Sequence, residues 1–257
     1  MGWRPNREVR GYAAAALLLF VALETLLALS VYFWPSFEQH STALKPIFGR
    51  IPVLLDQFSL IESAGVHAYV VGQHFFKGCN TLGVAAAVLL AMSAVAGEAQ
   101  RGTLELWLAR PVPRWRLYTE RYLLGQAALW GPVLLSSATT NLLLGMVDDR
   151  MDLSMMLVCA VHQSLFLGVI YSVTFLLSAL GDQPLRIAFV MLFFGIFQFS
   201  IYMVKTVTDY SLFRLADIQT YVTMMRYGLE PGATTVLVLL NVLPFLAGLA
   251  VFKRRLP

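Results

Sequence analysis

Six apolar runs, at about residues 11–34, 75–96, 115–147, 153–180, 184–205 and 233–252, alternate with shorter polar segments along the 257-residue chain. Each reaches the roughly 20 residues that a helix rising about 1.5 Å per residue needs to cross about 30 Å of hydrocarbon. A membrane β-barrel would instead show strands of about ten alternating residues. The pattern predicts an all-α integral membrane protein with six transmembrane helices. No soluble domain is left to place, so residues 1–257 read as a single transmembrane domain.

The longest strongly polar segment between two such runs is GEAQRGTLELWLARPVPRWRL, residues 97–117. Wound as one helix from Glu98, it sets Glu98, Arg101, Gly102 and Glu105 on one face and Leu104, Trp107 and Leu108 on another, with Arg101 and Glu105 four residues apart. Pro111 and Pro113 end that helix and make residues 110–114 a turn, because proline lacks the backbone donor and pushes the preceding residue out of the helical region. The prediction is an amphipathic helix lying across the membrane surface between spans two and three.

Trp34 followed by Pro35 marks an interfacial end and a stop for span one. Residues 35–73 form the longest stretch outside a span, broken by Pro35, Pro46 and Pro52. Their apolar part, 51–61, is too short to cross and predicts a short extracytoplasmic helix at the surface. Residues 206–232 carry Leu212, Leu215, Val222, Met225 and Leu229 at near-helical spacing, which predicts a second such helix, interfacial or re-entrant. Trp115, Tyr118 and Tyr122 read as an aromatic belt, Pro132 is placed to kink span three, and Pro184 suits the first turn of span five. Gly83, Ala87 and Ala91 recur every four residues on span two. That face suits close helix packing or a subunit contact, or is chance in an alanine-rich helix.

Composition sharpens the picture in one respect and charge in another. Hydrophobic residues make up 58% of the chain and charged residues 13%, against about 25% charged in soluble domains, and the mean hydropathy is +0.68. The first run is too long for a signal-peptide core and reads as a retained span. About 12 of the Lys and Arg residues flank one side, most of them in three groups: Arg4, Arg7 and Arg10 before span one, the 97–117 loop, and Lys253-Arg254-Arg255 at the end. About 6 lie on the other side, with Lys77 at its edge. The bias predicts a multi-pass protein of the inner (plasma) membrane with both termini cytoplasmic. The net charge of +4 arises from these flanks; it carries no nucleic-acid signal and leaves membrane lipid as the surrounding partner.

Candidate chemistry is sparse. No GxxxxGK[ST] phosphate loop occurs, His40, His67, His74 and His162 form no HExxH or four-residue pair, and there is no GxSxG elbow. The chain has no nucleotide-binding motif, and no enzyme activity of its own is expected. Cys79 and Cys159 lie in separate apolar runs without ligand spacing, so neither a metal nor a disulfide is expected. Glu24 is the one acidic residue deep in a run. At a cost of about 2.5–3.5 kcal/mol it must be neutral, paired or turned to a cavity, as a structural partner or as a pathway residue. Asn80, Gln126, Asn141, Gln163, Gln198 and Asn241 suit hydrogen bonds between helices; Asn80, Gln126 and Asn141 join Glu24 as pathway or interface candidates. An ion-coupled secondary transporter, which would use several intramembrane charges or broken helices, is the alternative function, with a membrane enzyme or structural anchor behind it.

Glu98, the run Gly102-Thr103-Leu104-Glu105-Leu106, then Ala109-Arg110-Pro111-Val112, Arg114-Trp115 and Tyr122-Leu123 resemble the signature loop of type 2 ABC transporter permeases. The six-span plan, the segment from Ile51-Pro52 to His67-Ala68-Tyr69, and the closing Phe252-Lys253-Arg254-Arg255 are similar too. Leu256 and Pro257 stand where the family usually has an acidic residue. The resemblance implies the transmembrane permease subunit of an ABC exporter-like complex, a homodimer working with two separate cytoplasmic ABC ATPase subunits on an unidentified substrate. ATP and Mg would belong to the partner ATPase, with no cofactor in this chain. It also implies that the helix after span two is a coupling helix. Glu98, Arg101, Gly102, Thr103, Leu104, Glu105, Arg110, Pro111 and Arg114 would then dock the ATPase.

Overall fold

A computed structural model describes residues 6–48, 51–109 and 111–255. Arg4, Arg110, Leu256 and Pro257 lie outside the described residues. Six helical segments are long and apolar enough to cross a membrane, and among the described residues there is no strand.

The elements are α1 (Asn6–Phe48), α2 (Pro52–Val71), a π-helical segment (Gly72–Gly83), α3 (Val84–Met92), α4 (Ala96–Gln100), α5 (Leu104–Leu108), α6 (Arg114–Ala138), α7 (Thr140–Leu144), α8 (Leu153–Leu180), α9 (Pro184–Met203), α10 (Ile218–Tyr227) and α11 (Pro231–Arg254). Helix α8 runs through the centre, against α3, α6 and α11. Its start is capped by Asp152, whose carboxylate accepts from the Ser154 N–H at 2.8 Å. Pro184 opens α9, where its missing donor costs nothing. Helix α10 forms within residues 206–232, where the sequence predicts a second short helix. Asp217 accepts from the Thr220 N–H at its start, Gly228 ends it at φ 81°, and Tyr221 is buried beneath it.

Pro35 does not stop span one. Helix α1 continues through Pro35 and Pro46 for 43 residues, about 64 Å at the α-helical rise. A proline inside a helix costs about 3 kcal/mol. Here aromatic packing just around Pro35 offsets it, with Trp34 and Phe37 lying 5.0 and 4.8 Å from Tyr69 and Phe37 also 5.9 Å from Phe58. Residues 51–61, expected as a separate surface helix, belong to α2, which Gly65 breaks at φ 66° before the chain enters span two.

Span two then widens into the twelve-residue π-helix before returning to α geometry. At its end Gly83 lies against Leu167, so that a Cβ there would approach Leu167 Cδ1 to 2.6 Å, and Ala87 and Ala91 are fully buried. The small-residue face of span two is thus a packing surface against α8 within the chain. In span three the helix continues through Pro132 and is interrupted at Thr139.

Candidate functional site

The polar loop between spans two and three is held from below by α8. The Ser178 hydroxyl accepts from the N–H groups of Val95 and Ala96, at 3.1 and 2.9 Å, and donates to the Met92 carbonyl at 3.0 Å. One serine therefore satisfies three backbone groups freed where α3 ends and α4 begins.

The expected single helix from Glu98 is two short helices. Gly102 stands between α4 and α5 at φ 68°, a left-handed conformation that glycine adopts without a Cβ penalty. The Thr103 N–H closes the turn onto the Glu98 carbonyl at 3.0 Å. This break changes which residues face inward. The Glu98 side chain turns into the protein, where it accepts from both terminal nitrogens of Arg121 at 3.2 Å, from Arg101 at 2.7 Å, and from the Thr103 hydroxyl.

Arg121, on α6, is the hub. Its side chain is 7% exposed, it donates to the Ala94 carbonyl at 2.6 Å, and its guanidinium lies 3.9 Å from the centre of the Trp107 ring. One cation thus ties the α3–α4 link, Glu98 and α5 to span three. Burial alone would raise the Glu98 pKa, but the Thr103 hydroxyl and the charges of Arg121 and Arg101 outweigh it and hold the carboxyl below the ordinary glutamate value.

Helix α5 seats on the end of α11. Leu104 and Trp107 are buried, Leu108 is half-buried, and the Trp107 ring meets Phe252 edge-on at 5.8 Å. Arg114 donates to the carbonyls of Lys253 and Arg255 at the end of α11. Arg255 in turn donates to the carbonyls of Ala179 and Gly181 at the end of α8 and pairs with Asp182. Both arginines sit where unpaired carbonyls and the helix dipole favour a cation. Exposed on the loop are Gln100, Arg101, Gly102, Glu105, Ala109, Pro111, Pro113 and the apolar Leu106, at 73%.

The structure brings Glu98, Arg101 and Thr103 together and keeps the intramembrane candidates apart. Glu24, half-buried on α1, accepts from the Thr139 hydroxyl at 2.8 Å. Asn80 donates to the Ala216 carbonyl and accepts from Gln163. Gln126 donates to the Tyr122 hydroxyl and accepts from Trp130. Asn141 clasps the Met151 backbone through both its amide atoms, at 2.9 Å each.

Sequence reasoning missed Arg121, which it passed over between two belt tyrosines. The signal was present, since Arg121 falls three and four residues after Tyr118 and Leu117 on the stripe that α6 buries, where a lone charge requires a partner. Leu106 was also missed as an exposed apolar knob. No family model matches the chain, and no curated protein does.

Proposed function

We propose that the chain is the permease subunit of an ATP-driven export complex, in which two copies act with two separate cytoplasmic ATPase subunits. In this reading the α4–α5 loop receives the ATPase through Arg101, Glu105, Leu106 and the turn at Pro111. The observation that carries it is the way the loop is fixed. Ser178, Arg121, Trp107, Arg114 and Arg255 join it to α3, α6, α8 and α11. Force applied to the exposed knob therefore reaches four helix ends without crossing a flexible joint. The chain has no phosphate loop of its own, and in this reading the energy enters through such a contact.

The basic residues around this loop and at the end of α11 favour the cytoplasmic side for it. Glu24, bonded to Thr139, reads as a tie between α1 and span three rather than as a pathway carboxylate.

The test uses an ATPase that co-purifies with the wild-type chain from its own membrane. Glu105→Lys reverses an exposed charge without opening a cavity. It is expected to insert and unfold like wild type while association and coupled ATP hydrolysis fall about tenfold, about 1.4 kcal/mol. Wild-type association and coupling in both Glu105→Lys and Leu106→Asp would sink the docking assignment.

A further inference from the structure

Two cavities meet near the end of the bundle opposite the α4–α5 loop, one running along α9 from Leu185 to Ser200 and the other confined to that end. The first, of about 600 Å³, is a cleft between α9 and the π segment with α3, lined by Phe76, Val84, Leu89, Phe189, Gly195 and Ile196. It opens along the exposed apolar face of α9. The second, of about 640 Å³, is polar, with Asp56, Gln57, Lys205, Asp209, Arg214 and Gln219 on its walls. The two adjoin along the chain twice over. Ser200 lines the cleft and Tyr202 the polar cavity; Phe213 lines the cleft and Arg214 the polar cavity. Tyr202 stands between them, its ring 5.4 Å from that of Phe76 and its hydroxyl accepting from Gln57.

We propose that the two cavities form one binding site for a membrane aminophospholipid of the leaflet at this end. An acyl chain lies in the cleft and the phosphoethanolamine head in the polar cavity. An apolar slot capped by a charged chamber fits an amphiphile, and the cleft volume lies within the roughly 300–1,000 Å³ of small-molecule sites.

Charge selects the head. The chamber offers both signs on exposed side chains: Lys205 and Asp56, 2.7 Å apart and each 61% exposed, and Asp209, 89% exposed and 3.4 Å from Arg214. Exposed ion pairs contribute little to stability, so these groups can turn to a ligand at small cost. The Lys205 ammonium then donates to the phosphate, and Asp56 and Asp209 accept from a primary ammonium. A quaternary ammonium is taken by an aromatic cage, and Tyr202 is the one aromatic residue among those lining the chamber. An anionic glycerol head, whose phosphate takes Lys205, would leave Asp56 without a cation.

This site stands independently of the ATPase reading. Its test is native mass spectrometry of the full chain released from micelles doped with phosphatidylethanolamine, phosphatidylcholine or phosphatidylglycerol of identical acyl chains. Phosphatidylethanolamine is expected to be retained about tenfold more than either of the others, a difference of about 1.4 kcal/mol. Gly195→Trp fills the cleft; a Cβ at 195 meets nothing within 4 Å, and retention of all three lipids is expected to fall. The double substitution Asp56→Asn, Asp209→Asn is expected to remove the head-group preference and leave the acyl contact. Equal retention of the three lipids by the wild type would overturn the proposal without recourse to any variant. So would wild-type retention in a folded Gly195→Trp chain. Disulfide crosslinking of Ile196→Cys between two copies, with lipid excluded, would assign this face to a second chain instead.

Discussion

Two ion pairs at opposite ends of the bundle, Glu98–Arg121 and Asp56–Lys205, hold their charge in opposite ways. At the α4–α5 loop, Glu98 and Arg121 are 15% and 7% exposed, and the arginine is shared among a carboxylate, a carbonyl and an indole face. At the far end, Lys205 and Asp56 pair at 61% exposure each, and Lys45 and Glu62 at 51% and 30%. The first arrangement is costly to disturb, because removing one partner strands the other in a poor solvent for charge. The second is nearly neutral, since water replaces what a substitution removes. The Glu98–Arg121 pair is braced and the Lys205–Asp56 pair adjustable, although Arg214 and Asp217, whose side chain is 5% exposed, give the far end one buried pair of its own.

The largest expected effect follows from the braced pair. Arg121→Ala leaves Glu98 without its buried cation and should lower stability by about 3–5 kcal/mol, read as the thermal unfolding midpoint in detergent. A midpoint unchanged from wild type would erase the contrast between the two pairs. Next comes Leu104→Ala, which removes a buried seating contact at a cost of about 2–5 kcal/mol and should expose residues 101–109 to limited proteolysis.

A smaller effect separates charge from packing. The Glu98 carboxyl has a lowered pKa in the folded chain. Its contribution is therefore full above the ordinary glutamate range and is lost as pH falls through the lowered value. The loop should loosen only in acid, below about pH 4, and Glu98→Gln should remove that pH dependence. The smallest effect belongs to the adjustable pair, where Lys205→Ala should change stability by no more than about 1 kcal/mol. A drop there as large as that of Arg121→Ala would show the Lys205–Asp56 pair to be braced as well.

Hydrophobic run length made the six long apolar helices legible, because spanning a bilayer is a requirement on length and polarity that few other structures meet. The seating of Leu104 and Trp107 was legible too, since both fall on the apolar side whether the loop is one helix or two. What escaped depended on partners distant in sequence. Pro35 reads as a stop until Tyr69 and Phe58 are known to pack on Trp34 and Phe37. Glu98 reads as outward-facing until Gly102 takes positive φ and Arg121, 23 residues on, turns out to be its partner. Asn141 looked like a residue for contact between spans, yet it binds a turn ten residues away.

The π-helix in span two has a consequence for chain length. Its bonds close from i to i+5, so each turn holds more residues than an α-helical turn. Losing one residue between Gly72 and Gly83 can be absorbed by a return to α winding, with α3 still facing α8. The same loss within α8 would swing every later side chain by about 100°. Single-residue deletions scored for folded yield should therefore be tolerated across 72–83 and fatal across 160–175. The segment 72–83 is thus a place where the bundle can absorb a change of one residue in chain length, which an unbroken α-helix cannot.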